Sequence, residues 1–318
     1  MDFISEYDLS DRCFDEVSTW VNQNKSRLLE EISSHGAVLL KNAGVNDSES
    51  FERLVGHFSD DLYHKNGEHV RYNKTGTVQT PVPYSNKEKL KWHNENSFHY
   101  RWPSKIFFSC VKACTKGGET PLVNMRELYK RLPRIIRAQF ERKGVSYVRC
   151  YVPDLGLSYK ETLNVKSKDE ANDFCLKNHM NYEWLGDVLK TTSHRPAVIK
   201  HPVLNEKCFV AQILHWHHRC LADGVRKCLL ECYGEDAMPR SVLYGNGEKI
   251  EDSVIDEIIG IHSEIEIARP WSEGDFIVID NIATAHGRNP YEGERKLLVS
   301  LADPFHFMTE HCRSDNWI

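Results

Sequence analysis

The chain has 318 residues, of which 40% are hydrophobic and 27% charged, a composition that excludes disorder and allows a sizeable buried core. A net charge of −5 offers no basic surface for nucleic acid or an anionic membrane, and no apolar run approaches the roughly 20 residues that span a bilayer. We expect a cytoplasmic protein with reduced thiols, because the 10 cysteines are irregularly spaced without a Cys-x-x-Cys pair and the first residues lack a signal-peptide pattern.

The N-terminal elements follow from hydrophobic periodicity. Apolar residues at helical spacing predict a helix over 14–33, and a continuous apolar run predicts a buried strand over 36–42. A second helix is predicted over 48–58. Residues 65–90 are polar and contain glycine and proline, which predicts a long loop of the kind that often forms a functional lid. Arg71 lies in this loop.

The middle of the chain mixes strands and helices. We predict a strand over 106–111, a turn with a short strand over 117–123, a helix over 125–143, a strand over 145–152 and a helix over 168–179. The helical insertion around 125–190 is expected to pack outside the central sheet. Together with the absence of a repeat or linker, this favours one domain over 1–318.

The last third is richer in strands. The predicted elements are paired strands over 196–202 and 208–215, helices over 221–233 and 253–261, and strands over 276–281 and 296–301. Strands and helices do not alternate as βαβ units would, which argues against a doubly wound fold. We therefore predict a mainly β protein with helical additions, of α+β class, built on an antiparallel sheet or barrel.

One histidine and one carboxylate stand two residues apart in the stretch 91–98. On a strand, His93 and Glu95 would share a face and supply two ligands of the triad that holds non-haem iron. His262 and Glu264 repeat the spacing, but there apolar and polar residues alternate, which predicts a solvent-exposed strand face. Around His93 neither face is apolar, which indicates a cavity.

A metal site needs a third ligand, and His286 follows an apolar strand and a polar turn. Arg295 stands at the start of the final predicted strand, and its planar guanidinium could bind a carboxylate through two hydrogen bonds. The alternative is that Arg295 is a surface residue beside neighbouring glutamates. His215 and His217 form a competing cluster, because on a strand they would share a face, but only a cysteine could complete that site.

Four motifs in order resemble the taurine dioxygenase (TauD/TfdA) family. They are His-Asn-Glu at 93–95, Gly-Gly-Glu-Thr-Pro at 117–121, Trp-x-x-Gly-Asp-x-x-x-x-Asp-Asn at 271–281 and His-Gly-Arg-x-Pro-Tyr-x-Gly-x-Arg at 286–295. Within the family, the stretches 143–149, 195–198 and 286–290 are similar to the syringomycin-type (SyrP-like) hydroxylases of nonribosomal peptide pathways. The resemblance implies a double-stranded β-helix, or jelly roll, and iron(II)- and 2-oxoglutarate-dependent oxygenase activity.

Carried over by motif, the resemblance implies that His93, Glu95 and His286 bind iron(II). Thr120 and Arg295 would hold the distal carboxylate of 2-oxoglutarate, with O2 as the other cosubstrate. Many members have Asp at the position of Glu95, and either carboxylate argues against halogenation, because related halogenases have a small residue there. The interval from His286 to Arg295 is short for the family, so Lys296 or Arg288 could share the anion-binding role.

The implied reaction is hydroxylation of an unactivated carbon of an amino acid or related small metabolite, free or bound to a carrier protein. It would release succinate and CO2 and serve secondary-metabolite biosynthesis. Desaturation, cyclisation or epoxidation are alternatives, as are a non-catalytic metal-binding jelly-roll sensor and a zinc-dependent hydrolase. No nucleic-acid or membrane partner is expected. The residues proposed to contact substrate are Arg71, Asn94, Ser97, Gln212 and His215.

Overall fold

The computed structural model describes residues 3–64, 70–72, 77–153, 155–235 and 238–312. Its helices are α1 (Phe14–His35), α2 (Ser48–Phe58), α3 (Met125–Arg131), α4 (Arg134–Lys143), α5 (Tyr159–Leu163), α6 (Lys168–Lys177), α7 (Asp223–Tyr233) and α8 (Asp252–Ile265). Its strands are β1 (Ile4–Asp8), β2 (Ala37–Val45), β3 (Val70–Arg71), β4 (Gln79–Thr80), β5 (Leu90–His93), β6 (Arg101–Lys112), β7 (Lys116–Gly117), β8 (Leu122–Asn124), β9 (Val145–Cys150), β10 (Asn181–Leu185), β11 (Val188–Arg195), β12 (Val198–Lys200), β13 (Lys207–Phe209), β14 (Arg240–Tyr244), β15 (Gly274–Asp280), β16 (Thr284–Arg288), β17 (Tyr291–Glu292) and β18 (Lys296–His306).

A seven-stranded sheet in the order β1-β2-β15-β6-β18-β4-β3 forms the scaffold. Its pairings are antiparallel except that of β1 with β2. Alternate residues of β15 point to opposite faces, as the pleat requires. Phe276 and Val278 pack with the cluster that contains residues of α1 and α2. Ile277 and Ile279 pack on the other face, in a cluster that includes Leu122 of β8.

A smaller sheet, β5-β16-β8, lies on the face away from α1 and α2. The contact is direct, because the rings of Phe108 in β6 and His286 in β16 have their centroids 5.3 Å apart. Antiparallel sheets stacked in this way, with helices added outside, match the predicted mainly β class with helical additions. The predicted helices at 14–33 and 48–58 are confirmed as α1 and α2.

The segment 145–195 contributes three strands to a third sheet, so the insertion predicted around 125–190 contains both strands and helices. Strands β10, β11, β9 and β14 pair in that order, with α5 and α6 beside them. The assignment of 1–318 to one domain stays a prediction. Among the described residues, no helix has the length and apolarity to cross a membrane.

After residue 124, the secondary-structure predictions were wrong in three places. The helix predicted over 125–143 is two helices, because Pro133 follows Leu132 and cannot continue α3. The strand predicted over 208–215 ends at Phe209, and His215 lies in a short 3-10 helix. The helix predicted over 253–261 continues to Ile265, so the strand expected around His262 does not exist.

Candidate metal centre and substrate cavity

The candidate metal centre begins where β5 and β16 meet. His93 is the last residue of β5, and it lies directly opposite His286 in the antiparallel register. Glu95 is not on the strand, as the sequence suggested, but in the turn that follows. Asn281 fixes that turn: its Oδ1 accepts from the Glu95 backbone N–H at 2.7 Å, and its Nδ2 donates to the Glu95 carbonyl at 3.0 Å.

The three side chains converge on one point. Oε2 of Glu95 is 3.4 Å from Nε2 of His93 and 3.8 Å from Nε2 of His286. One ligand atom from each of the three residues lies within 4.8 Å of the other two. All three side chains are buried, with at most 13% exposed. Two imidazole nitrogens and one carboxylate oxygen are the donor set of the facial triad that binds non-haem iron(II). These three residues therefore fit iron(II).

A shared backbone carbonyl orients His93. Nδ1 of His93 lies 3.0 Å from the Lys91 carbonyl, and Nε2 of His215 lies 2.9 Å from the same oxygen. Because a carbonyl only accepts hydrogen bonds, Nδ1 of His93 and Nε2 of His215 each carry a proton. Nε2 of His93 therefore keeps a lone pair that can bind a metal. The rings of His93 and His215 have centroids 4.3 Å apart, and burial lowers the pKa of His215 to about 3.

The histidine cluster after His215 is arranged differently from the sequence prediction. His217 accepts the Arg219 backbone N–H at Nδ1, at 3.1 Å, and lies 3.0 Å from the Ile250 carbonyl through Nε2. His218, His217 and Asp252 have ligand atoms close together. However, Arg226 donates to Asp252 at 2.6 Å and to Nδ1 of His218 at 3.2 Å. The Arg226 guanidinium therefore already contacts two of the three candidate ligands.

Arg295 and Thr120 line the same cavity as His93 and His286. Nε of Arg295 donates to the Gly118 carbonyl at 2.9 Å, and burial lowers the pKa of the guanidinium below its ordinary value. The Thr120 hydroxyl accepts a hydrogen bond from the Trp271 indole at 3.1 Å. A Cβ on Gly118 would lie 3.1 Å from Cδ of Arg295, so this glycine makes room for the arginine stem.

Arg288 and Lys296 are placed differently from Arg295. Arg288 donates to the backbone carbonyls of Tyr84 at 3.1 Å and Glu88 at 2.7 Å, and also to that of Ser85. Its guanidinium therefore holds the 84–88 segment on the cavity rim. Nζ of Lys296 lies 4.9 Å from the ring centroid of Tyr72. Both residues line the cavity, but the guanidinium of Arg288 is used in hydrogen bonds to backbone carbonyls.

The predicted substrate contacts separate into groups. Gln212 and His215 line the cavity, and Nε2 of Gln212 lies 3.3 Å from Nδ1 of His215. Asn94 instead is 1% exposed and donates to the Asn281 carbonyl at 2.6 Å, so its amide supports the fold of the site. Ser97 is equally buried and is not among the cavity-lining residues. The side chain of Arg71 lies outside the described part of the structure.

The cavity has a volume of about 1210 Å³. Its wall includes Arg149, Trp216 and Arg240, which the sequence interpretation did not assign to the site. No local signal marks them, because Arg149 lies in an ordinary strand and Arg240 is far away in the chain. Their common location depends on the pairing of β9 with β14.

The second His-x-Glu pair has a different environment from the one predicted. His262 is 3% exposed, within α8, and its ring stacks on Trp92 with centroids 5.1 Å apart. Its Nδ1 lies 2.7 Å from the Ile258 carbonyl, and burial lowers its pKa to about 4. The predicted exposed strand face was wrong for His262. Glu264 is exposed on the helix and away from His262, so the pair does not converge.

Comparisons with known proteins show the family of this chain. The family model "Taurine catabolism dioxygenase TauD, TfdA family" matches residues 13–301. The dapdiamide synthesis protein DdaC of Enterobacter agglomerans is 34% identical over 277 residues, covering 86% of this chain and 84% of that protein. A clavaminate synthase-like protein of Arabidopsis thaliana is 27% identical over 298 residues, covering 88% and 86%.

Solved structures are similar in fold. The PvcB protein of Pseudomonas aeruginosa matches with a TM-score of 0.51 and 16% identity, over 89% of this chain and 81% of that one. A candidate alpha-ketoglutarate-dependent taurine dioxygenase from Burkholderia xenovorans matches with a TM-score of 0.50 and 14% identity, over 97% and 96%. At these identities the likeness supports the jelly-roll fold alone.

Proposed function

The chain belongs to the TauD/TfdA family of iron(II)- and 2-oxoglutarate-dependent dioxygenases, and on that premise we propose that it hydroxylates an unactivated carbon of an amino-acid-like metabolite. The substrate is free or bound to a carrier protein, and the reaction belongs to secondary-metabolite or antibiotic biosynthesis. The similarity to a protein of dapdiamide synthesis, over most of both chains, supports the biosynthetic setting. Desaturation, cyclisation and epoxidation use the same site and stay alternatives.

The observation on which this proposal depends is the convergence of His93, Glu95 and His286 in the wall of a large cavity. In the proposed mechanism these side chains would hold iron(II), and the Lys91 carbonyl keeps His93 in the tautomer that leaves Nε2 unprotonated. Bound iron(II) supplies the activation of O2 that is coupled to decarboxylation of 2-oxoglutarate. The protein supplies position, charge and exclusion of water.

The cosubstrate is proposed to lie between the metal triad and Arg295. Its distal carboxylate accepts from the Arg295 guanidinium and from the Thr120 hydroxyl, which can donate because it accepts from the Trp271 indole. Nε of Arg295 is already bonded to Gly118, so the terminal nitrogens are directed at the ligand. Since the arginine is largely buried and forms no ion pair with a carboxylate of the described residues, its charge favours a bound carboxylate.

The size of the cavity supports a substrate larger than a free amino acid. Its volume of about 1210 Å³ exceeds the usual range for small-molecule sites, which is roughly 300–1,000 Å³. Room for 2-oxoglutarate and for an extended second substrate is consistent with a carrier-bound or peptide-like molecule.

The test is release of succinate from 2-oxoglutarate under air with added iron(II). Glu95→Ala removes the only carboxylate of the triad and should lower turnover by about a hundredfold or more, because one ligand of three is lost. Glu264→Ala is the matched control: it belongs to the second His-x-Glu pair and is exposed, so it should leave turnover within about twofold of the unaltered protein.

Each alternative class gives a different result. No succinate from the iron-loaded protein with a broad pool of free and carrier-bound amino acids would contradict the oxygenase function and favour a metal sensor. Hydrolytic activity supported by zinc and insensitive to 2-oxoglutarate would favour a hydrolase. A gain of one oxygen in the intact mass of a free or carrier-bound product would separate hydroxylation from desaturation.

A further inference from the structure

A buried histidine outside the cavity contacts the segment that leads to the candidate metal centre. His201 follows β12 and is 2% exposed, although Val203, two residues later, is 70% exposed. Its Nε2 lies 2.8 Å from Oδ2 of Asp280, the last residue of β15 and 79 positions away in the chain. Neither residue of this pair is among those that line the cavity. Any effect of His201 on the site must therefore pass through other residues.

The turn between β12 and β13 fixes the tautomer of His201. The backbone N–H groups of Leu204 and Val203 donate to its Nδ1 at 3.1 Å and 3.3 Å. Since Nδ1 accepts, the ring proton is on Nε2, and the imidazole donates the hydrogen bond to Asp280. The backbone N–H of His201 also donates to the Glu206 carbonyl at 2.7 Å. The turn thus holds the ring in place as a donor.

Asp280 shapes the turn that leads from β15 to β16. Its Oδ1 accepts the backbone N–H groups of Ile282 at 2.9 Å and Ala283 at 3.0 Å. Strand β16, which carries His286, begins at the next residue. A buried carboxylate is costly unless its oxygens have partners, and His201 supplies the donor to Oδ2. The histidine therefore stabilises the ionised side chain that defines the turn.

Asn281 lies inside the same turn and connects it to Glu95. It is fully buried, and its side chain bonds both backbone groups of Glu95. In the opposite direction, Nδ2 of Asn94 donates to the Asn281 carbonyl at 2.6 Å. The direction of the Asn281 side chain depends on the backbone that Asp280 fixes. A change in this turn would therefore displace Glu95 and His286 together.

A second buried aspartate of β15 offers a comparison. Asp275 lies near the other end of the strand and is 1% exposed. Its Oδ1 accepts the Asn42 N–H and its Oδ2 the Ser272 N–H, each at 2.9 Å. Backbone donors thus serve both oxygens of Asp275, so burial of a carboxylate in this strand does not by itself require a histidine. The use of His201 at Asp280 ties a distant turn to the metal-site segment.

We infer that His201 is a positioning residue of the metal centre. Through Asp280 it holds the turn between β15 and β16, and that turn orients both Asn281 and the strand that carries His286. The inference rests on the proposed function, because it takes Glu95 and His286 as metal ligands. Groups that orient metal ligands typically change metal affinity 10–100-fold when they are lost. Because His201 acts through further residues, its loss should weaken metal binding about tenfold.

The experiment separates the two ring nitrogens of His201. An Asn side chain ends near the position of Nδ1, so His201→Asn keeps an acceptor for the Leu204 N–H and loses the donor to Asp280. A Gln side chain reaches the position of Nε2, so His201→Gln keeps that donor. Calorimetric titration of Mn(II) into the metal-free protein measures affinity without turnover. Binding should weaken about tenfold in the Asn variant and stay within about threefold in the Gln variant.

His194→Asn is the matched control. His194 is 8% exposed and does not line the cavity, and its Nδ1 lies 2.7 Å from the Ser146 hydroxyl within the third sheet. This variant should lose stability in urea unfolding but keep its Mn(II) affinity within about twofold. Asp280→Asn tests the same link from the other side, so the test does not depend on one variant being folded. Combined with His201→Asn, it should weaken binding by less than the product of the two single effects.

The outcomes are separable from those of the proposed function. No binding of Mn(II) by the unaltered protein would contradict the proposed metal centre itself. If the unaltered protein binds Mn(II), equal affinity in the folded His201→Asn variant would overturn the inference. Equal weakening in the His201→Gln or His194→Asn variants would overturn it as well, because the hydrogen bond to Asp280 would not be the cause. Independent effects of His201→Asn and Asp280→Asn would also overturn it.

Discussion

The metal-site wall, formed by β5 and β16, and the arginine wall, formed by β9 and β14, use different means to place their side chains. In the first, His93 and His286 face each other across a sheet, and Asn281 bonds both backbone groups of Glu95. In the second, Arg149 and Arg240 are long side chains placed by stacking on aromatic rings. The first arrangement fixes the candidate metal ligands through backbone pairing and backbone hydrogen bonds, while the second depends on contacts that long side chains make with rings.

This contrast predicts that the effect of a substitution depends on its distance from the metal-site wall. Changes near this wall should alter the use of iron and 2-oxoglutarate, and changes elsewhere behind the cavity lining should alter stability alone. The three substitutions below are ordered from the largest expected effect to the smallest.

Arg295→Gln should have the largest effect of the three. It removes the buried positive charge proposed to pair with the distal carboxylate of 2-oxoglutarate, so the KM for this cosubstrate should rise about a hundredfold. Iron(II) affinity should stay unchanged, because Arg295 is not among the metal-ligand candidates. Succinate release measured against 2-oxoglutarate concentration checks this. An unchanged KM would show that Arg288 or Lys296 holds the carboxylate.

Gly118→Ala should have an intermediate effect. The residue has φ of +72°, and a Cβ there would lie 2.5 Å from Sγ of Cys114 and 3.1 Å from Cδ of Arg295. The displaced arginine should raise the KM for 2-oxoglutarate about tenfold. Gly186→Ala is the control, because it has φ of +64° but nothing within 4 Å. Both should lose about 1–2 kcal/mol of stability from backbone strain. Equal KM values for the two would exclude the proposed contact.

His262→Phe should leave catalysis nearly unchanged and alter acid stability. The folded-state pKa of about 4 lies below the ordinary 6.5, so the folded protein resists protonation of His262 that the unfolded chain accepts. The resulting stability is present above pH 6.5 and is lost as the pH falls from 6.5 towards 4. The Phe side chain keeps an aromatic ring against Trp92 and has no titratable group. The variant should therefore lose less stability between pH 6.5 and pH 4 than the unaltered protein.

Urea unfolding at pH 7 and pH 5 measures this difference. A loss of stability on acidification that is equal in both proteins would show that other buried histidines, such as His99, dominate. Succinate release at neutral pH should be equal within about twofold, since His262 lies behind Trp92 and not in the cavity lining.

Local periodicity predicted the early elements well because it depends only on neighbours in the chain. The helix over 48–58 was placed correctly, with Asp47 accepting the Ser50 N–H at its N-terminus. The same reasoning failed around His262, where an amphipathic helix end has apolar residues at positions that also fit a strand. It also failed at Glu95, because a turn and a strand can both bring residues i and i+2 to one side.

By itself the sequence determined the residue types of the candidate metal centre and, through the order of its motifs, the family. Those motifs are local, so they can be found without knowing what they contact. Only the tertiary structure decided which distant groups meet: Asn281 bonds Glu95 across 186 residues, and Arg240 lies opposite Arg149 in the third sheet. Strand register across such separations is set by packing of the whole sheet, and no local pattern specifies it.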